Sequence, residues 1–250
     1  MKISGNTILI TGGTTGIGFA LAEAFLKARN DVIICGRREH KLQETQQKLP
    51  ELHIKRCDVA REDERKSLFQ WVTSNFKNIN ILINNAGIQR EIDFSKPDTA
   101  DSLATEDEVA INLTAPVHLS ALFVPRLVEK QEAAIVNISS GLAFIPMAIV
   151  PVYCATKAGI HSFSISLRHQ LRNTQVKVFE VIAPTTDTEL DRGARGRRGQ
   201  TDRGIPAVKV AEATLQGMER NEYEIAVGMA DMLRQAARTD FEKVFHRING

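Results

Sequence analysis

Short apolar runs alternate with longer amphipathic ones along almost the whole of this 250-residue chain, and that alternation constrains its fold more than any other feature. The strand candidates are 7–10, 31–35, 53–57, 79–83, 134–138, 177–182 and 223–227. Helical periodicity fills 17–28, 39–48, 62–76, 107–130, 152–172 and 206–218. Strand and helix in strict alternation imply βαβ units and a parallel sheet. Because such crossovers are right-handed almost without exception, helices should cover both faces. With no internal repeat and no low-complexity linker, one domain spanning 1–250 is expected. The only shift in composition is 191–204, which has four glycines and no apolar periodicity and reads as a mobile surface loop.

Charge narrows the function classes. The net charge of +2 is too small to suggest a nucleic-acid binder. The excess is local: between Glu189 and Gly204, Arg192, Arg195, Arg197, Arg198 and Arg203 face only Glu189, Asp191 and Asp202. A segment of about 189–205 is therefore a candidate substrate lid, whose arginines would recruit an anionic substrate or anchor phosphates; the alternative is an exposed solubilising loop. No run of apolar residues reaches the length of a membrane span. Cys35, Cys57 and Cys154 share no metal-type spacing and read as reduced core thiols. With no signal-peptide pattern at the N-terminus, a cytoplasmic location is expected.

The chemistry lies in the turns. Thr11-Gly12-Gly13-Thr14-Thr15-Gly16-Ile17-Gly18 follows the first strand and opens the first helix, where glycines let the backbone approach a pyrophosphate lying on a helix N-terminus. The spacing differs from the common dinucleotide fingerprint, and a tight strand-to-helix connection is the competing reading. The second strand ends in Cys35-Gly36-Arg37-Arg38. An NAD site places an acid there for the ribose hydroxyls, whereas a 2′-phosphate needs a cation. Arg37 and Arg38 thus point to NADP(H), with NAD(H) as the alternative cofactor and a solvated helix start as the bland reading. Asp58-Val59, after the third strand, would accept from an adenine amino group or cap the next helix. Tyr153 and Lys157 are four residues apart on a helical pattern and so share a face. A lysine held there would favour the phenolate and lower the tyrosine's pKa from about 10, making it a proton donor or acceptor near neutral pH.

Taken together, T-G-x-x-x-G-I-G at 11–18, D-V at 58–59, N-N-A-G at 84–87, Asn112, Ser140 and Y-x-x-x-K at 153–157 resemble the short-chain dehydrogenase/reductase family in order and spacing, over essentially the whole chain. The resemblance implies an α/β, Rossmann-type doubly wound, mostly parallel seven-stranded sheet. It implies hydride transfer between NADP(H) and a small-molecule carbonyl/alcohol pair, with no metal. Asn84, Asn85, Ala86 and Gly87 would shape the adenine side and brace the sheet. Asn112 would hold a water linking Lys157 to solvent. Ser140, rather than Ser139, would bond the substrate oxygen, Tyr153 would be the acid or base, and Lys157 would hold the nicotinamide ribose. Where the family usually has Pro-Gly, this chain has Ala183-Pro184, followed by Thr185, Thr186, Asp187 and Thr188. Pro184, Thr186 and Thr188 are still expected beside the cofactor. That run and the short C-terminal tail suggest a bacterial subgroup resembling the oxidoreductase of the D-alanine–lipoteichoic acid operon. Helices 107–130 and 152–172 would form the interface of a homodimer or homotetramer, the alternative being that they simply pack on the sheet.

Two other functions compete. A scaffold that kept the fold would not need the Asn112–Ser140–Tyr153–Lys157 set. A nucleotide-sugar epimerase would need a substantial C-terminal domain, and only about 60 residues follow Thr188. The substrate pocket is expected from 89–94, 142–150 and the loop after Thr188. His118, His161 and His169 converge on no motif and read as surface or packing residues.

Overall fold

In a computed structural model, all residues are described except Glu106, Asp191, Arg192, Arg198 and Gln200, together with the side chains of Ser102, Ala104, Thr105 and Arg195. The strands are β1 (Thr7–Thr11), β2 (Asp31–Gly36), β3 (His53–Arg56), β4 (Ile79–Asn84), β5 (Ala133–Ser140), β6 (Val176–Ala183), β7 (Thr186–Asp187), β8 (Ile205–Pro206) and β9 (Glu224–Ala226). The helices are α1 (Gly16–Lys27), α2 (Glu39–Lys48), α3 (Glu62–Asn75), α4 (Thr99–Thr105), α5 (Ala115–Leu127), α6 (Pro151–Gln170), α7 (Ala194–Arg197), α8 (Ala207–Arg220), α9 (Met229–Thr239) and α10 (Phe241–Asn249).

Seven strands form one sheet in the order β3-β2-β1-β4-β5-β6-β9, and every neighbouring pair is parallel. Alternation along each strand splits the core in two. Ile8 and Ile10 pack with Leu21 and Phe25 of α1, Leu42 of α2 and Val210 of α8. Leu9, Leu82 and Ile135 point the other way, onto Leu68 of α3, Phe123 of α5 and Leu167 of α6. The sequence direction reverses between β1 and β4, which opens a crevice at the carboxyl edge, the place where such sheets bind ligands. Cys35, Cys57 and Cys154 are buried free thiols. Among the described residues, no helix is long and apolar enough to cross a membrane.

The structure departs from the sequence reading in three places. The expected helix 107–130 is not uniform: residues Ala110–Thr114 form a π-turn before α5 begins. Helices α4, α9 and α10 were not expected. Within 191–204, the described residues include the single-turn helix α7, and the segment is closed at its base by a small parallel ladder pairing Thr186 with Ile205 and Asp187 with Pro206.

Candidate active site

The cleft at the carboxyl edge has a volume of about 1820 Å³. Pockets for a single small ligand run to roughly 1,000 Å³, so this one has room for a dinucleotide and a second molecule. Gly12, Thr14, Thr15, Gly16 and Ile17 form its floor at one end, with Arg37, Arg38, Asp58, Val59, Asn85, Ala86 and Gly87 around them. Gly12 and Gly16 have positive φ, 66° and 56°. A Cβ on Gly12 would lie 2.9 Å from the Ala86 Cα, and one on Gly16 would lie 2.8 Å from the Thr188 methyl. The turn is thus held in a backbone conformation that only glycine adopts cheaply. Asn85 braces it: its Nδ2 donates to the carbonyls of Thr11 (2.9 Å) and Gly12 (3.0 Å), while its own N–H donates to Thr11 Oγ1. Asn84 braces the sheet instead, through Asn137 Oδ1 at 2.8 Å. Gly18 stands one layer back, against the Gly12 carbonyl.

Arg37 and Arg38 are exposed where β2 gives way to α2. Asp58 closes a local turn, accepting from the Ala60 N–H at 3.0 Å, rather than capping α3, which starts from Arg61; it also lines the cleft. Arg65 secures this turn by donating to the Val59 carbonyl at 2.6 Å, and it is supported in turn by His118.

The other end of the cleft gathers Ser140, Tyr153 and Lys157, all buried. Ser140 ends β5 and accepts from the Leu142 N–H at 3.1 Å. Tyr153 and Lys157 occupy one face of α6, with Lys157 Nζ 5.7 Å from the phenol ring centre. That ammonium donates to the Ile138 carbonyl at 2.7 Å. Asn112 lies in the π-turn, which runs on directly into α5. Its amide spans the Ile88 backbone, donating to the carbonyl and accepting from the N–H, both at 2.9 Å. A Cβ on Gly87 would be 3.4 Å from Asn112 Oδ1 and 3.8 Å from Lys157 Nζ, so these two side chains flank one point. Short π-turns are frequent at functional sites.

The electrostatics correct one expectation. Burial raises the Tyr153 phenol above its ordinary value, and the Ser140 hydroxyl opposes this. Burial also lowers Lys157, to about 8, against the pull of Glu180. Glu180 and His161 were missed by sequence reasoning. Glu180 is fully buried on β6; it accepts from the Ser139 hydroxyl and lies 2.8 Å from His161 Nδ1. The available signal was an acid in the middle of an apolar strand and a histidine four residues beyond Lys157. The Ser139 hydroxyl is thus committed to Glu180, and Ser140 is the serine whose hydroxyl meets Tyr153.

Pro184, Thr186 and Thr188 line the cleft, as expected. Thr188 reaches over the glycine turn, its methyl against Gly16. The remaining wall is apolar and comes partly from an unexpected place: Leu142, Met147 and Val150 are met by Met229 and Leu233 of α9. Gln89 and Glu91 also contribute, but Phe94 does not; it is exposed, beside a separate surface groove with Val109, Leu113 and Pro151. Of the loop arginines, Arg203 lines the cleft; Arg192 and Arg198, with the side chain of Arg195, lie outside the described residues.

Over residues 6–198 the chain matches the short chain dehydrogenase family. It is 49% identical over 249 residues to a Bacillus subtilis (strain 168) protein named uncharacterized oxidoreductase DltE, covering 100% of this chain and 98% of that one. NADP-dependent 3-hydroxy acid dehydrogenase YdfG of Escherichia coli (strain K12) is 31% identical over 175 residues, 70% of each chain. A crystal structure of a short chain dehydrogenase from Burkholderia cenocepacia J2315 in complex with NADP superposes with a TM-score of 0.84 at 25% identity, over 99% of both chains.

Proposed function

Because the chain belongs to the short chain dehydrogenase family, as an oxidoreductase of the DltE-like subgroup, we propose that it interconverts a small carbonyl compound and its secondary alcohol with NADP(H), using Tyr153 as general acid and base. The observation that carries this reading is the arrangement of one cleft, with the glycine turn at one end and Ser140, Tyr153 and Lys157 together at the other. The residues present fit a nicotinamide dinucleotide. The glycine turn is open to close backbone approach at a helix N-terminus, and an exposed arginine pair replaces the acid that a free 2′-hydroxyl would favour.

Gly12, Thr15, Gly16 and Ile17 would hold the pyrophosphate, Arg37 and Arg38 the 2′-phosphate, Asp58 and Val59 the adenine, and Pro184, Thr186 and Thr188 the nicotinamide side. When bound, the nicotinamide supplies or accepts the hydride. Ser140 Oγ would bond the substrate oxygen and stabilise the charge that develops there. In reduction, Tyr153 Oη gives its proton to that oxygen; in oxidation, it takes one. The Lys157 ammonium would engage the ribose and, as a cation beside Tyr153, favour the phenolate against the cost of burial. A water beside Asn112 would complete the proton path from Lys157 to solvent. The wall of Leu142, Met147, Val150, Met229 and Leu233 excludes water and suits a substrate with an apolar portion.

The oligomer is proposed to be a homodimer or homotetramer, supported by exposed Val117 and Ile165 on α5 and α6. Three unpaired thiols agree with a cytoplasmic location.

A panel of ketones and aldehydes with NADPH, followed by cofactor absorbance and product analysis, tests the reading. At least one carbonyl should be consumed in equal amount with NADPH. Tight NADPH binding without turnover of any member would favour the scaffold reading instead.

A further inference from the structure

Glu180 is a charged side chain that the reaction above does not use, although it has no exposed surface at all. An unpaired buried carboxylate would be costly, and here its oxygens are taken up by two partners. Oε1 accepts from the Ser139 hydroxyl, and Oε2 meets His161 Nδ1 at 2.8 Å. Each partner lies close along the chain to the reactive set. Ser139 precedes Ser140 on β5, while His161 lies one helical turn beyond Lys157 and two beyond Tyr153 on the same face of α6. The Phe144 ring, just past the 3₁₀ turn that Ser140 caps, closes over the imidazole with ring centres 4.5 Å apart.

We propose that Glu180 is a positioning residue: with Ser139 and His161 it forms a buried brace that fixes Ser140 against Tyr153 and presents negative charge to Lys157. The proposal rests on the oxidoreductase reading. Lys157 Nζ is held on the Ile138 carbonyl, on the strand that pairs with β6, and Glu180 opposes the loss of its charge. The charged and titratable groups around the brace are Lys157, His161 and Arg168 of α6 and Glu224 of β9, the ladder partner of Glu180. Glu224 is itself paired with Arg168 and Arg234. The carboxylate raises His161 above its ordinary value.

The test is Glu180→Gln in the full chain, which keeps the shape and removes the charge. Three readings are taken: the His161 ring titration by NMR without cofactor, NADPH affinity against pH, and kcat with the best carbonyl substrate. The brace predicts that His161 titrates at lower pH, that the alkaline loss of NADPH affinity moves to lower pH because Lys157 is neutralised sooner, and that kcat falls on the order of 10- to 100-fold through misplacement. A folded variant with kcat and alkaline limb both native would overturn the proposal. So would a fall in kcat with the alkaline limb unmoved, which reduces the cluster to packing. If Glu180→Gln does not fold, Ser139→Ala takes its place: reduced kcat with retained NADPH affinity supports the brace, and native kcat overturns it. The first two readings need no turnover. If they shift while native protein reduces no carbonyl, the failure lies with the proposed reaction and not with the brace.

Discussion

Lys157, proposed to hold the nicotinamide ribose, is subject to two opposed demands, since that role needs it both buried beside the cofactor and charged. Burial brings its pKa down to about 8, so the cationic form persists below that pH and is lost as pH rises through it. NADPH affinity, measured by titration across pH 6 to 10, should therefore weaken above about pH 8; affinity flat to pH 10 would remove the lysine from the cofactor site. Arg37 is the second residue on which the cofactor reading depends. Arg37→Asp replaces a phosphate-binding cation with an acceptor for ribose hydroxyls. Calorimetry should find NADPH bound more tightly than NADH by the native protein and the order reversed in the variant. Equal native dissociation constants would contradict the assignment. Tyr153, Lys157 and the glycines could be placed from the sequence because their spacing along the chain maps directly onto one helix face or one turn, whereas Ser140, at the end of β5, was placed by the resemblance alone. Glu180 and His161 were not placed, because an acid in an apolar strand and a histidine one turn beyond Lys157 do not point to each other along the chain; only the β5–β6 ladder and the packing of α6 bring them together. The raised phenol was equally hidden, since burial is a property of the whole fold.

Among the elements, the segment between β7 and β8 separates two readings left open by its composition. Its ends are tied by the Thr186–Ile205 pairing, and Leu190, Gly193, Ala194 and Arg203 line the cleft between them. A flap pinned at its base and lying along a cleft is suited to close over bound substrate. Limited proteolysis should therefore cut it readily in the protein alone and slowly with cofactor plus substrate. Equal rates in both states would leave a solubilising loop. The seven strands of the main sheet and the helices α1, α2, α3, α6 and α8 were legible because each buries a clear stripe in the core, whereas the two-residue strands β7 and β8 were not. Helix α9 was not read, although Ala230 and Leu233 repeat at helical spacing: its buried side covers Gly141 rather than a strand, outside the alternation that organised the rest. The π-turn at 110–114 has no glycine or proline to mark it, and the periodicity reads straight through it.

For the whole molecule, the cleft lies at the sheet's carboxyl edge, and the α5–α6 side is the surface proposed for assembly. Val117 and Ile165 remain exposed there, where a second copy would bury them at about 25 cal/mol per Å² of apolar area. Sedimentation should find a dimer or tetramer, and the double substitution Val117→Asp with Ile165→Asp should shift it to monomer; a native monomer would contradict the interface. The fold and the class of chemistry were both legible from the motif order, whereas the substrate was not, because its pocket is assembled from segments far apart in sequence. The account as a whole turns on one phenol. Native protein and Tyr153→Phe should be compared side by side for kcat on the same carbonyl and for NADPH dissociation constant. The account predicts a loss of about 10²–10⁴ in kcat with the dissociation constant near native; near-native kcat in the phenylalanine variant would contradict it.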